Sequence, residues 1–328
     1  VHIPDGFISL PASLAAAAAA AAGVGVALRR SDATLERRAV PLAGLLAAFI
    51  FAAQMLNVPI AAGTSGHLLG AGLAAVLLGP WLATVSLTAV VLVQALLFAD
   101  GGIVALGLNV LNMAVVAPWL AWGAFRLARA TLPRYPASDA TATFLAGAIG
   151  VVGAAGAFGL EYALGGVGGA PALLVAGTML GVHAVIGVGE GLITAAAVGT
   201  IRSIRPDLVA SDRLEPTPAA HGAHHRRLAS AAAVVAALAL AATAGPLAST
   251  LPDGLEHVAS TLGFAGHERL SPVAAGPLAG YTTPGVAAAV AGTSLAGVLG
   301  VLAVLAVMAA MRGLRRLHGR GAEERDPT

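Results

Sequence analysis

Nine apolar stretches set the terms for this sequence: residues 8–28, 40–56, 67–79, 82–98, 103–125, 142–164, 172–200, 228–247 and 286–311. Most approach the roughly 20 residues that an α-helix needs to cross the hydrocarbon core of a bilayer. The chain has 328 residues, of which 58% are hydrophobic and 10% charged. Soluble domains carry roughly 25% charged residues, so a bilayer is the solvent that suits this surface. The expected fold class is an all-α integral membrane protein, with an N-terminal segment inserted into a seven-helix unit and a two-helix unit after it.

The arginines orient these segments. Arg29, Arg30, Arg37 and Arg38 follow the first stretch, Arg126, Arg129 and Arg134 the fifth, and Arg202, Arg205, Arg213, Arg226 and Arg227 the seventh. Arg312, Arg315, Arg316, Arg320 and Arg325 follow the ninth. Nine crossings with the N-terminus outside put all of these in the cytoplasm and leave Arg269 alone outside, the asymmetry that the positive-inside rule describes. The expected localisation is the plasma membrane. No basic residue precedes Arg29, so the start lacks the positive n-region of a cleavable signal peptide and is expected to be retained.

Residues 201–227 are polar, contain Pro206, Pro216 and Pro218, and carry His221, His224 and His225. They are expected to form a cytoplasmic linker. The organisation is then a membrane domain at 1–200, the linker, a two-helix domain at 228–311 with an outer loop at 248–284, and a basic tail at 312–328.

Two absent residue types exclude chemistry. There is no cysteine, so disulfides, thiolate metal sites and Cys nucleophiles are excluded. All 18 basic residues are arginines. A Walker A loop needs its lysine, so ATP hydrolysis by a P-loop must lie on another chain, and Schiff-base catalysis is excluded as well. No H-E-x-x-H motif is present to suggest a metalloprotease.

The opening residues, Val1-His2-Ile3-Pro4-Asp5-Gly6, carry the most chemistry. A free α-amine on Val1, the amide nitrogen of His2 and the His2 imidazole can chelate one metal ion. Amine and amide close a five-membered ring, and amide and imidazole Nδ1 a six-membered one. Three nitrogens in a plane leave one position open, and a square of nitrogens suits Ni(II) or Cu(II). Pro4-Asp5-Gly6 turns the chain, which lets that end fold back into the helices. An ordinary exposed histidine is the alternative.

His67, near the outer start of the third stretch, offers a fourth nitrogen; Asn57 and Ser65 lie close to it in sequence. It could equally be a satisfied interfacial residue. Gln54, Gln94, Asn109, Asn112, Glu161, His183 and Glu190 fall at membrane depth, where polar groups are costly and often functional. His183 and Glu190 share a helix face at i and i+7, with Gly187 between them. They fit either packing between helices or a metal or proton path. Asp100 opens an outer Asp-Gly-Gly turn and could attract a cation.

These residues resemble a known family. VHIPDGFIS (1–9), SGHLLGAGLAAVLLGPW (65–81), QALLFADGGIVALGLNVLNM (94–113) and HAVIGVGEGLIT (183–194) are similar to the blocks of the CbiM/NikM family, the substrate-specific components of cobalt and nickel energy-coupling-factor transporters. LPDGLE (251–256) and SPVAAGPLAGYTTPG (271–285) resemble the PDGLE domain of the small N component. The resemblance implies a substrate-binding membrane component that captures Ni(II) or Co(II) as its transported substrate through Val1, His2 and His67. It implies a transmembrane coupling subunit of CbiQ/NikQ type and an ATPase of CbiO/NikO type as partners. Position one is Val where the family has Met; a GTG start codon read literally would write it so. The alternative is a stand-alone secondary divalent-metal transporter, which would need titratable groups such as His183, Glu190 and Glu161 along a path.

Overall fold

The computed structural model describes residues 2–34, 39–61, 63–133, 135–205, 208–210, 223–286 and 288–323. Its helices are α1 (Leu10–Thr34), α2 (Ala39–Gln54), α3 (Ala71–Leu78), α4 (Pro80–Phe98), α5 (Leu106–Asn109), α6 (Ala117–Thr131), α7 (Pro136–Gly165), α8 (Ala172–Ile204), α9 (Ala223–Leu247), α10 (Gly254–Thr261) and α11 (Ala289–Glu323). A π-helical stretch, Val110–Val116, joins α5 to α6, and Pro118 lies just after it. Proline has no N–H to give to the turn before it, and the altered register is placed where that donor is missing.

Every apolar stretch expected from the sequence contains a helix, but not all nine are long enough to cross. Among the described residues seven helical segments are long and apolar enough, including Pro80–Phe98, Leu106–Thr131 and Ala172–Ile204. The chain is a multi-pass membrane protein. The segment expected at 40–56 is the shorter apolar helix Pro41–Gln54. The one expected at 67–79 shrinks to the eight residues of α3. Helix starts only after Gly70, which is left-handed at φ 77°; the N–H groups of Leu69 and Gly70 donate to the Glu190 carboxylate.

A short antiparallel hairpin, β1 (Val58–Ala61) and β2 (Thr64–Gly66), fills the connection between α2 and α3 and was not anticipated. It carries His67 at its exit.

The centre of the bundle is α4. Its spanning window is 78% buried, against 17% for α9. Around it, α3 packs against α6 and α7, and α7 lies along α8. A Cβ on Gly72 of α3 would stand 2.6 Å from Gly147 of α7. Two glycines thus let the helices touch backbone to backbone, as small residues do in lipid. The C-terminal pair, α9 and α11, pack on each other and on α2, and α11 also reaches α4. They are therefore built onto the first unit.

One end of the bundle gathers the N-terminal segment, the hairpin, the turn after α4, the α7–α8 loop and the segment between α9 and α11. Backbone bonds stitch them together: Gly102 N–H to Ile3 C=O, Val167 N–H to Phe7 C=O, Ser65 N–H to Pro252 C=O, Ser249 N–H to Asn57 C=O and Arg269 N–H to Asp5 C=O. Elsewhere, the Asp139 carboxylate accepts from both Arg129 and Arg202, tying α6, α7 and α8.

Candidate metal centre

Residues 2–9 thread into the gathered end without helix. Two side chains anchor them by burial: Ile3 is 0% and Phe7 2% exposed, packed with Leu108, Phe158, Tyr162 and Phe264. Polar anchors fix the register. Ile3 N–H donates to Asn109 Oδ1 at 2.7 Å, and Asn109 Nδ2 returns a bond to Ile3 C=O at 3.0 Å. The Asp5 carboxylate accepts the N–H groups of Ile103 and Ala105 at 3.1 and 2.9 Å. Gly6 is left-handed at φ 98°. A Cβ on Gly102 would fall 2.0 Å from Asp5 Oδ1 and 2.4 Å from Asp5 N.

Gly102→Ala is therefore expected to unseat the segment. Overpacking of this kind costs about 1–3 kcal/mol. Hydrogen exchange at Ile3 and Phe7 should speed up in the variant, with or without metal. Exchange as slow as in the unmodified protein would contradict this anchoring.

The anchors deliver His2 to His67, ring centroids 5.2 Å apart. His2 Nε2 meets Gln94 Oε1 at 3.1 Å and Nδ1 meets Asp100 Oδ1 at 3.2 Å, so both ring nitrogens face acceptors. Gln94 is fixed in turn, donating to Gln54 Oε1 at 2.6 Å, while Gln54 donates to Leu69 C=O at 2.8 Å. Asp100 Oδ2 accepts from Tyr281 O–H at 2.5 Å.

The His67 Nδ1–H donates to Leu68 C=O at 3.1 Å, and Nε2 is buried with no partner. A backbone bond on one ring nitrogen sets the tautomer and presents the other lone pair, the usual preparation of a histidine ligand. Burial first, and then the positive charge of the N-terminus ahead of that of His2, push the His67 pKa down to about 3. The ring is neutral and available throughout the physiological range.

Asp253 stands nearby. Burial works against its ionisation, but neighbouring positive charge and the Glu256 N–H hold its carboxyl below the usual range. It caps α10 by accepting from Leu255 N–H and Glu256 N–H, both at 2.8 Å. A cavity of about 410 Å³ opens over His2, lined among others by Asp100, Asp253, Glu256 and Glu268. Its acidic wall favours the approach of a cation. A second void, about 20 Å³ and bounded by His67, His183, Asp253 and Gly254, has room for little more than one water.

Among the described residues no group of three or more His, Cys, Asp or Glu side chains is arranged to hold a metal ion. His2 and His67 by themselves offer two imidazoles. Val1, whose amine was expected to supply one, lies outside the described residues, as does His221.

The other residues singled out from sequence divide into two groups. Asp100 and Asn109 stand at the site, the first against His2 and the second holding Ile3. Asn57, Ser65, Glu190 and His183 shape its surroundings. The Asn57 C=O holds Ser249 N–H, and Ser65 Oγ donates to Leu251 C=O at 2.7 Å. Glu190 clamps Leu69 and Gly70, both at 2.7 Å. His183 Nδ1 bonds to Met179 C=O within its own helix, so His183 and Glu190 do not pair. Glu161 accepts from Asn112 at 2.7 Å. Sequence reasoning noted Gln54 and Gln94 only as polar groups at membrane depth and passed over Asp253 and Tyr281 as ligand neighbours. Gln94 lay six residues before Asp100, one near the end of the fourth stretch and the other in the turn after it, the one available hint that both would reach His2.

Residues 2–208 match the CbiM family, described as the cobalt uptake substrate-specific transmembrane region, and residues 227–316 match the PDGLE domain. The chain is 37% identical over 302 residues to a putative fused nickel transport protein NikMN of Archaeoglobus fulgidus, covering 91% of this chain and 94% of that one. It is 35% identical to a cobalt transport protein CbiM of Sorangium cellulosum, covering 68% of this chain and all of that one. A crystal structure of a truncated transition metal transporter aligns with TM-score 0.53 and 34% identity over 62% of this chain and 99% of that chain. The protein belongs to the CbiM family of substrate-specific membrane components and carries a PDGLE domain behind that unit.

Proposed function

We propose that this chain captures Ni(II) or Co(II) outside the cell as the substrate-binding component of an energy-coupling-factor importer. The observation that carries this reading is His67 Nε2, a buried nitrogen without a partner, beside His2. The residue-1 amine, the His2 amide nitrogen, His2 Nδ1 and His67 Nε2 would complete a plane of four nitrogens. His2 Nδ1 exchanges Asp100 for the ion, while Nε2–H stays on Gln94 and keeps the tautomer. The names of the relatives, nickel and cobalt transport proteins, support the substrate class. A planar nitrogen set favours Ni(II) over Co(II) on affinity order.

The chain has no lysine for a P-loop, so energy would come from a CbiO/NikO-type ATPase through a CbiQ/NikQ-type coupling subunit. The arginine pattern favours an N-terminus outside and a C-terminus inside. The gathering of the expected outer loops at one end fits that alternation.

The test is nickel titration of the purified protein with proton release measured. Binding demands deprotonated amine and amide, and a free α-amine ionises near 7.7–8.0. His67, with its pKa down at about 3, is already neutral and contributes no slope in this range. From pH 8 to 6, affinity should fall by more than about tenfold per pH unit, with more than one proton released per ion. A flat profile, with no protons released, would contradict an amide ligand and favour a site of carboxylates.

A further inference from the structure

Of the side chains that the C-terminal unit brings to the candidate site, one is bonded to Asp100. Tyr281 lies in the segment between α9 and α11, far from residues 1–200 in sequence. Its ring stacks on Phe98, centroids 4.7 Å apart and 24° between planes, and its hydroxyl donates to Asp100 Oδ2 at 2.5 Å. The other oxygen of Asp100 holds His2 Nδ1 at 3.2 Å. Burial and then the Asp100 carboxylate raise the Tyr281 pKa well above its ordinary value, so the hydroxyl is a standing donor.

Both ends of this link are bent in the same unusual way. Among the described residues only Ala99 and Tyr281 are non-glycine residues at positive φ, 55° and 57°. L side chains reach that region at a cost, and such residues cluster where a specific geometry is being held. Ala99 closes α4 and aims Asp100, as Asp100 N–H bonds back to Gln94 C=O. Tyr281 follows Gly280, also left-handed at φ 63°, and aims the hydroxyl.

We infer that Tyr281 is a positioning residue through which the PDGLE unit completes the metal-capture site: it fixes Asp100 against His2 in the metal-free protein and keeps that carboxylate beside the ion once His2 Nδ1 has been taken. The inference rests on the capture site proposed above. In the loaded state Asp100 Oδ1 loses its imidazole, but Oδ2 stays on Tyr281, so a negative charge remains where it offsets the ion's. Without the hydroxyl the carboxylate is free to swing into the cavity.

The experiment compares the full chain with Tyr281→Phe, which keeps the stacked ring, and with Asp100→Ala alone and combined. In ¹⁵N-histidine spectra of metal-free protein, the His2 Nδ1 resonance should move in Tyr281→Phe. Ni(II) affinity should fall roughly tenfold, the lower range for partners of metal ligands. In the Asp100→Ala background the Tyr281→Phe change should have no further effect, because the two act in series. An unmoved His2 resonance overturns the inference, and so does an equal loss of affinity in both backgrounds, which would mean that the ring matters only for packing. If the unsubstituted protein takes up no nickel while the His2 resonance still responds, the capture-site reading fails and the link from Tyr281 to His2 stands.

Discussion

His67→Ala is expected to weaken Ni(II) binding by more than about 100-fold, beyond the 10–100-fold lost when only the partner of a ligand is removed. The fold should survive. The one hydrogen bond of this imidazole goes to the neighbouring Leu68 C=O, and Nε2 bonds to nothing. A residue kept for stability would not leave a buried polar atom unsatisfied, since that costs about 1–3 kcal/mol. Metal-free His67→Ala should accordingly melt no lower than the unsubstituted protein. The check is isothermal titration with Ni(II) alongside melting of the metal-free forms. A large drop in melting temperature with affinity intact would turn His67 into a packing residue.

The second large effect concerns the other end of the chelate. Joining about six residues ahead of Val1 should abolish high-affinity loading, a loss of the same order as for His67→Ala. The side chain at residue one is not a ligand in this scheme; the amine is. Replacing Val1 by Met should therefore leave the affinity within about twofold. A single added residue is a less decisive change. It would put the histidine third, where an amine, two amides and an imidazole can fill a square without His67. Nickel affinity unchanged by the longer extension would exclude the amine as a ligand. The two changes converge on one site, so their effects should not add.

The lipid-facing organisation was legible in the sequence, because hydropathy and arginine placement record the solvent of each segment directly. Even there, length misled. After His67 the stretch at 67–79 is apolar, yet its helix starts only past the left-handed Gly70, where Leu69 and Gly70 are bound by Glu190, distant in sequence. The hairpin was hidden for a similar reason: β2 is held partly by Pro252, a residue of the C-terminal unit. Apolarity says where a segment resides but not where its backbone hydrogen bonds go.

The candidate site was legible in its ligand types and obscure in its supports. His2 and His67 could be named because imidazole and a terminal chelate have recognisable chemistry. Asn109 was noticed as a polar group at membrane depth, but nothing in its spacing pointed to Ile3. Gln54, Gln94, His2, Asp100 and Tyr281 form a chain of contacts that joins α2, α4 and the loop before α11. No periodicity relates such positions; only the folded packing does. Conversely, the spacing of His183 and Glu190 suggested a pair, and the structure gives each a different partner: His183 bonds to Met179 C=O one turn back in its own helix, and Glu190 to the segment before α3.

The central claim is that nickel is held by nitrogen alone, between the first two residues and His67. The most direct measurement is a crystal structure of the nickel-loaded protein, with the ion located by its anomalous scattering at the nickel edge. A single peak joined to the residue-1 amine, the His2 amide nitrogen, His2 Nδ1 and His67 Nε2 in one plane is the expected result. A peak in the cavity among Asp100, Asp253 and Glu256, with His67 Nε2 still unbonded, would contradict it.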